Sequence, residues 1–337
     1  MVLRGRPRGR VGRCLVLFLK PSLFEGFFLY IPSMKAIPYN SFSSFLKQRY
    51  GEKVWKVGID AGFSCPNRDA HGKEGCLFCR NDSFNEMRFA SNMSVAQQMQ
   101  NGIELAQNRF GIQKYIAYFQ TSTNTFAPVS QLCKIYNEAL QFPNVVGLSI
   151  STRPDCLNPA VIDLIQELST KVDVWVELGL QSIFDRTLES LNRGHTLSDY
   201  DNAVSELEKL NVRICTHTMI GLPGENQKDI RTTANYLAHQ PIHEVKIHPL
   251  LILNGTPLAV QYQNRLIDSL PLDDYVTWVC DFIERLHPSF VIQRLTAEAP
   301  AEILLAPEWS LNKLIVINKI RQEFQRRGTK QGDLIGA

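Results

Sequence analysis

From about residue 54 the chain alternates short β-branched runs with amphipathic helical stretches, again and again, and that alternation narrows the fold to βα units on a parallel sheet. The strand candidates are Val54–Asp60, Tyr115–Gln120, Val145–Ser151, Val172–Gly179, Val212–Ile220 and Glu244–Leu251. Helical patterns lie near 95–109, 130–140, 159–168, 198–210, 227–239 and 273–286. Asn158 before Pro159 pairs an N-cap with proline at the first helical position. Six such units predict an α/β fold, a partial (β/α)6 TIM-like barrel over residues 34–287. A strand-like run at Phe290–Leu295 and a basic amphipathic helix near 309–327 make residues 288–337 a C-terminal extension.

In α/β barrels, function gathers on the loops that follow the strand C-termini. The polar motifs of this chain fall there. Thr121–Thr125 follows the second strand, Arg153-Pro154-Asp155 the third, Gln181-Ser182 the fourth and Gly221–Glu225 the fifth.

The loop after the first strand carries Cys65, Cys76 and Cys79 within 15 residues, while the other five of the eight cysteines stand singly. In a chain this long, that crowding points to a cytosolic metal site plus buried thiols rather than to a disulfide framework. Thiolates suit iron–sulfur clusters or zinc. The Cys-x-x-Cys pair turns two sulfurs toward one centre, and Cys65 approaches from upstream. Three ligands leave one iron of a four-iron cluster open. His71, in the same loop, offers the fourth ligand of a zinc site instead, and dithiol redox chemistry at Cys76 and Cys79 is a third reading. Cys133, Cys156, Cys215 and Cys280 read as small buried hydrophobes, Cys156 being set apart by the polar tip before it.

The net charge of +3 conceals an asymmetry. Residues 1–33 carry a net +5, so the remainder is at −2 and is not a globally basic nucleic-acid binder. That Arg-rich start ends before Met34, which opens an enzyme-like segment, so residues 1–33 are expected to lie outside the fold; a targeting sequence is the other reading. No stretch approaches the roughly 18 to 20 apolar residues of a membrane span. A cytoplasmic protein is expected.

The segments Asp60–Asp69 and Gly75-Cys76-Leu77-Phe78-Cys79 resemble the YhcC/YtqA group of radical S-adenosylmethionine (SAM) proteins, relatives of the Elongator catalytic subunit. Tyr118–Thr125, Ser151–Cys156, Glu177–Ser182, Asn192–His195 and Gly221–Glu225 extend the likeness in order, from about Tyr39 to Lys319. The resemblance implies a [4Fe–4S] cluster on Cys65, Cys76 and Cys79, with SAM at the open iron. It implies reductive cleavage of SAM to a 5′-deoxyadenosyl radical, fed by a flavodoxin or ferredoxin type donor. Gln181 and Arg193 then resemble contacts to SAM, and Thr121, Asn124 and Gly221 stand where related enzymes bring backbone and hydroxyl groups to it. Arg153 and Asp155 either bind ligand or pair with each other; His217 is either a core histidine or a polar contact. Kinship with the Elongator subunit suggests a tRNA wobble uridine as substrate, with Lys313, Lys319, Arg321, Arg326, Arg327 and Lys330 as candidate phosphate contacts or as a solvated helix face. A non-enzymatic zinc or iron–sulfur protein is the rival reading.

Overall fold

The computed structural model of the protein describes residues 37–68, 75–80 and 93–337. The N-terminal 33 residues, Met34 and His71 lie outside the described residues.

The predicted alternation appears as β1 (Val54–Ile59), α2 (Val95–Phe110), β2 (Lys114–Phe119), α3 (Val129–Leu140), β3 (Val145–Thr152), α4 (Pro159–Ser169) and β4 (Asp173–Gln181). It continues through α6 (Leu197–Glu208), β5 (Arg213–Ile220), α7 (Gln227–Ala238), β6 (Glu244–Pro249) and α9 (Leu272–Arg285). Local chemistry sets the helix starts. Asn158 accepts from the Val161 amide ahead of Pro159, and Ser94/Gln97, Thr196/Asp199 and Asn226/Asp229 form capping boxes. Three short helices, α1 (Phe42–Tyr50), α5 (Asp185–Ser190) and α8 (Pro257–Gln263), and the longer C-terminal α10 (Lys313–Arg327) complete the α-helices among the described residues. A small antiparallel pair joins β7 (Ile252–Leu253) to β9 (Leu304–Ala306).

Among the described residues the main sheet has seven parallel strands in the order β1-β2-β3-β4-β5-β6-β8, with β8 spanning Val291–Arg294. The sheet thus takes its last strand from the segment after residue 287. It also curls into an open half-barrel, far enough for side chains to bridge its two edge strands. Lys56 on β1 donates to Gln293 on β8 at 3.0 Å, and the Ile292 amide donates to the Asn40 carbonyl at 2.8 Å, so the lead-in to α1 lies along β8.

Strand residues alternate between an outer face and the lumen. Outward residues such as Val57, Ile59, Leu148, Ile150, Val176, Ile214 and Val245 are buried with the helices. The lumen is polar. Glu177 is fully buried there and accepts from Lys56 at 2.6 Å, Ser149 at 2.6 Å, His217 at 2.8 Å and also Lys246. Below it, Glu244 accepts from Trp175 at 2.8 Å and Arg213 at 2.6 Å. Such carboxylates stay buried only because each lone pair finds a donor.

Candidate active site

Above the Glu177 layer, at the C-terminal ends of the strands, the lumen opens into a cavity of about 430 Å³, within the range of small-molecule sites. Cys65, Cys76 and Cys79 line it, together with Thr121, Thr123, Arg153, Gln181, Arg193 and His217. Asn124 and Gly221 are not among the lining residues. Asn124 instead donates to the Thr121 and Ser151 carbonyls, at 2.8 and 2.9 Å, and so ties the loop after β2 to the end of β3. Gly221 turns the chain at φ +90°, where an added Cβ would press on Leu270 at 3.2 Å.

The cysteine loop is held by residues far away in sequence. Asn192 donates to the Gly75 carbonyl at 2.8 Å, and the Leu77 amide donates to the Leu191 carbonyl at 3.0 Å. Gly194, at φ +67°, comes so close to Asn67 that a Cβ would meet its Oδ1 at 2.5 Å. That contact makes glycine the fitting residue in the Asn192–His195 motif. The same turn presents Arg193, whose guanidinium donates to the Cys76 sulfur at 3.2 Å and to the Gly179 carbonyl at 2.7 Å. Arg68 donates to the Cys79 sulfur at 3.3 Å. Burial, and then the neighbouring Cys76, push the Cys79 thiol pKa up, while Arg68 pulls against them.

Arg153 and Asp155 form a bidentate pair at 2.9 and 2.8 Å, and the Arg153 Nη1 donates to the Arg193 carbonyl at 2.6 Å. Burial works against the Arg153 charge, and Asp155 overrides it, so its pKa is raised. This pair therefore steadies the Arg193 turn from the cavity wall. His217 is a lumen residue: burial, and then Lys246, lower its pKa to about 4, so a neutral ring donates from Nε2 to Glu177. Lys246 and Lys56 outweigh burial at Glu177 and hold its carboxyl well below the usual range.

The cavity wall carries polar atoms with no partner among the described residues: Thr123 Oγ1, Gln181 Oε1, Arg193 Nε and His248 Nε2. Buried polar groups are paired in over about nine cases in ten, so several orphans on residues that line one cavity fit a site shaped for a polar ligand. Gln181 is held there at φ +73°, just after a bulge in the β4–β5 register. Thiols able to hold soft metal, guanidiniums aimed at their sulfurs, and unfilled polar atoms beside them fit a thiolate-bound cluster with a polar cofactor next to it. Cys215 and Cys280 are buried and Cys133 and Cys156 half-buried, all as free thiols; Cys156 is held up to about 12 by burial and Asp155. Sequence reasoning passed over Lys56, Lys246, His248 and Arg294. Their one signal was a charged or imidazole side chain at inward positions of strands.

A curled parallel barrel with a thiol-lined polar cavity at its strand C-termini defines a barrel enzyme built around a metallocofactor. Residues 65–237 match the Radical SAM superfamily, and residues 242–326 match the Radical SAM C-terminal domain. The chain belongs to the radical SAM superfamily, whose cofactors are a [4Fe–4S] cluster and SAM. It is 40% identical to protein YtqA of Bacillus subtilis, over 87% of this chain and 92% of that one. It is 29% identical to the tRNA uridine(34) acetyltransferase of Dehalococcoides mccartyi, over 51% of this chain and 38% of that protein. The fold also matches the archaeal Methanocaldococcus infernus Elp3, with a TM-score of 0.66 at 17% identity, over 82% of this chain and 64% of that structure. No helix among the described residues is long and apolar enough to cross a membrane.

Proposed function

We propose that Cys65, Cys76 and Cys79 hold the [4Fe–4S] cluster, that SAM fills the polar cavity beside it, and that the substrate is a tRNA wobble uridine. The observation that carries the cofactor part is the convergence of all three thiols on one cavity with Arg193 and Arg68 donating to two of their sulfurs. When bound, the cluster supplies the electron that cleaves SAM homolytically. The chain's own residues do the rest. Arg193 and Arg68 donate to the sulfurs of Cys76 and Cys79, which fixes where those two ligand atoms sit. Gln181 Oε1, Thr123 Oγ1 and Arg193 Nε offer polar contacts to SAM. The Lys56–Glu177–Lys246 layer closes the floor and leaves neutral His217 facing the cavity.

The tRNA part rests on the partial likeness to a tRNA uridine(34) acetyltransferase. The basic C-terminal residues give it little help. Lys319 pairs with Asp273, Arg326 with Glu323, and Arg327 with Asp281, Glu284 and Glu323, which favours a paired helix face. A flavodoxin or ferredoxin type donor and a cytoplasmic setting complete the reading. The test is to incubate cluster-loaded protein, SAM, dithionite and unmodified tRNA anaerobically and to digest the tRNA for nucleoside mass analysis. A changed wobble uridine supports the reading; SAM cleavage with every nucleoside unchanged refutes the substrate and keeps the enzyme class.

A further inference from the structure

Charge in the cavity is almost fully accounted for, and the exception is informative. Of the cations that line it, Arg68 and Arg193 donate to cysteine sulfurs, Arg153 is paired with Asp155, and Lys313 lies 3.9 Å from Glu298. Arg294 also lines the cavity and has no hydrogen bond or ion pair with any described residue.

The backbone explains how Arg294 comes to point inward. β8 pairs with β6 in parallel, Ile292 opposite Val245 and Arg294 opposite Lys246, so Gln293 is one residue too many. Bulges of this kind re-aim side chains and gather near active sites. Here the bulge leaves Gln293 to bind Lys56 and Glu244, and it still brings Arg294 level with the lumen residue Lys246. Around Arg294 the lumen is short of negative charge. Glu177, the buried acid of this wall, is matched against both Lys56 and Lys246, which leaves that layer with a surplus positive charge. The buried Nε2 of His248, with no partner among the described residues, belongs to a side chain that lines the same cavity.

Resting on the radical SAM reading of the same cavity, we infer that Arg294 is the anchor for an oxyanion on the substrate, a carboxylate or a phosphate, gripped by its guanidinium fork. An unpaired guanidinium above a positive floor is an attractive place for such a group, and the fork matches either oxyanion with two parallel hydrogen bonds. His248 lies across the same wall, and its ring is kept neutral first by burial and then by His217 and Arg294. A neutral ring donates from Nε2 to an anion without demanding a counter-charge of its own.

The experiment titrates the full-length, cluster-loaded protein with inorganic phosphate and, separately, with acetate, by calorimetry with saturating SAM present. Saturable binding of one anion per chain is expected, weakened at least about tenfold in Arg294→Gln, the scale of a lost charged hydrogen bond. Arg294→Lys keeps the charge without the fork and should fall between the two, which keeps the test decisive if Arg294→Gln does not fold. Arg186→Gln, which removes an exposed pair with Asp229 outside the cavity, serves as the control and should bind as the unaltered protein does. Tighter phosphate than acetate identifies a phosphoryl group, and the reverse a carboxylate. Absence of saturable binding with SAM present, or equal binding in the Arg294 variants, overturns the proposal. Iron content and SAM cleavage of the unaltered protein, measured on the same preparation, report separately on the cluster reading, because anion binding requires no electron transfer.

Discussion

Arg193 reaches across 117 positions of chain to donate a 3.2 Å hydrogen bond to the sulfur of Cys76. The cysteine loop is therefore only half of the site. The turn between α5 and α6 supplies the other half, and the Arg153–Asp155 pair fixes that turn from the end of β3.

Replacing Arg193 should damage the site more than the fold. Arg193→Leu removes donors to Cys76 and Gly179, and hydrogen bonds to charged groups are worth about 1.5 to 3 kcal/mol each. SAM affinity should fall at least about tenfold, with less iron retained per chain on gel filtration. Arg193→Lys should recover part of both. Unaltered SAM binding in Arg193→Leu, measured by equilibrium dialysis, would contradict the assignment.

The lumen network should dominate the response to a single neutral substitution. Glu177→Gln leaves Lys56 and Lys246 beside a group that no longer balances them, and breaking such a buried pair costs about 3 to 5 kcal/mol. The urea midpoint of the cofactor-free chain should drop accordingly. Adding Lys246→Met to Glu177→Gln should restore part of the loss, because the two changes share one interaction.

Acid should unfold the protein through its buried histidines before its carboxylates. Burial, then Lys246, hold His217 at about 4, and burial, then Arg193 and Arg153, hold His195 at about 3, both from an ordinary 6.5. Their folded values are depressed, so the unfolded chain takes up their protons first. The stability they contribute is complete above pH 6.5 and drains away as pH falls from 6.5 toward 4 for His217 and toward 3 for His195. Glu177, ionised by its lysines, adds its own loss below about 4.5. Urea midpoints should fall between pH 7 and pH 5, and the fall should be shallower in His195→Asn. A midpoint unchanged over that window would contradict the neutral-ring picture.

The C-terminal helix should prove structural. Arg327 pairs with Asp281, Glu284 and Glu323, and the first two are almost wholly buried. Arg327→Ala should cost about 3 kcal/mol, while Arg326→Ala, exposed on the same helix, should change the urea midpoint little.

The sheet was legible in the sequence because its outward strand residues are β-branched and its helices carry capping motifs such as Asn158-Pro159. The cavity was half legible. Cys65, Cys76, Cys79, Gln181 and Arg193 stand out as motif residues, and all five line it. Asn124 belongs to an equally visible motif, yet its side chain serves two carbonyls rather than the cavity, a difference that only tertiary contact decides. Lys56, Lys246 and Arg294 could not be read in advance. A cation within a strand looks alike whether it meets solvent or a buried Glu177, and the bulge at Gln293 is set by pairing with β6. α1 escaped notice because its short run buries only Leu46.

The most direct test reconstitutes the full-length protein anaerobically with iron and sulfide and compares it with Cys65→Ala, Cys76→Ala, Cys79→Ala and His71→Ala by iron analysis and electron paramagnetic resonance after dithionite. The account predicts roughly four irons per chain and a reduced-cluster signal that changes when SAM is added, lost in each cysteine variant and kept in His71→Ala. Zinc in place of iron, loss of metal in His71→Ala, or full SAM cleavage by any one of the cysteine variants would contradict it.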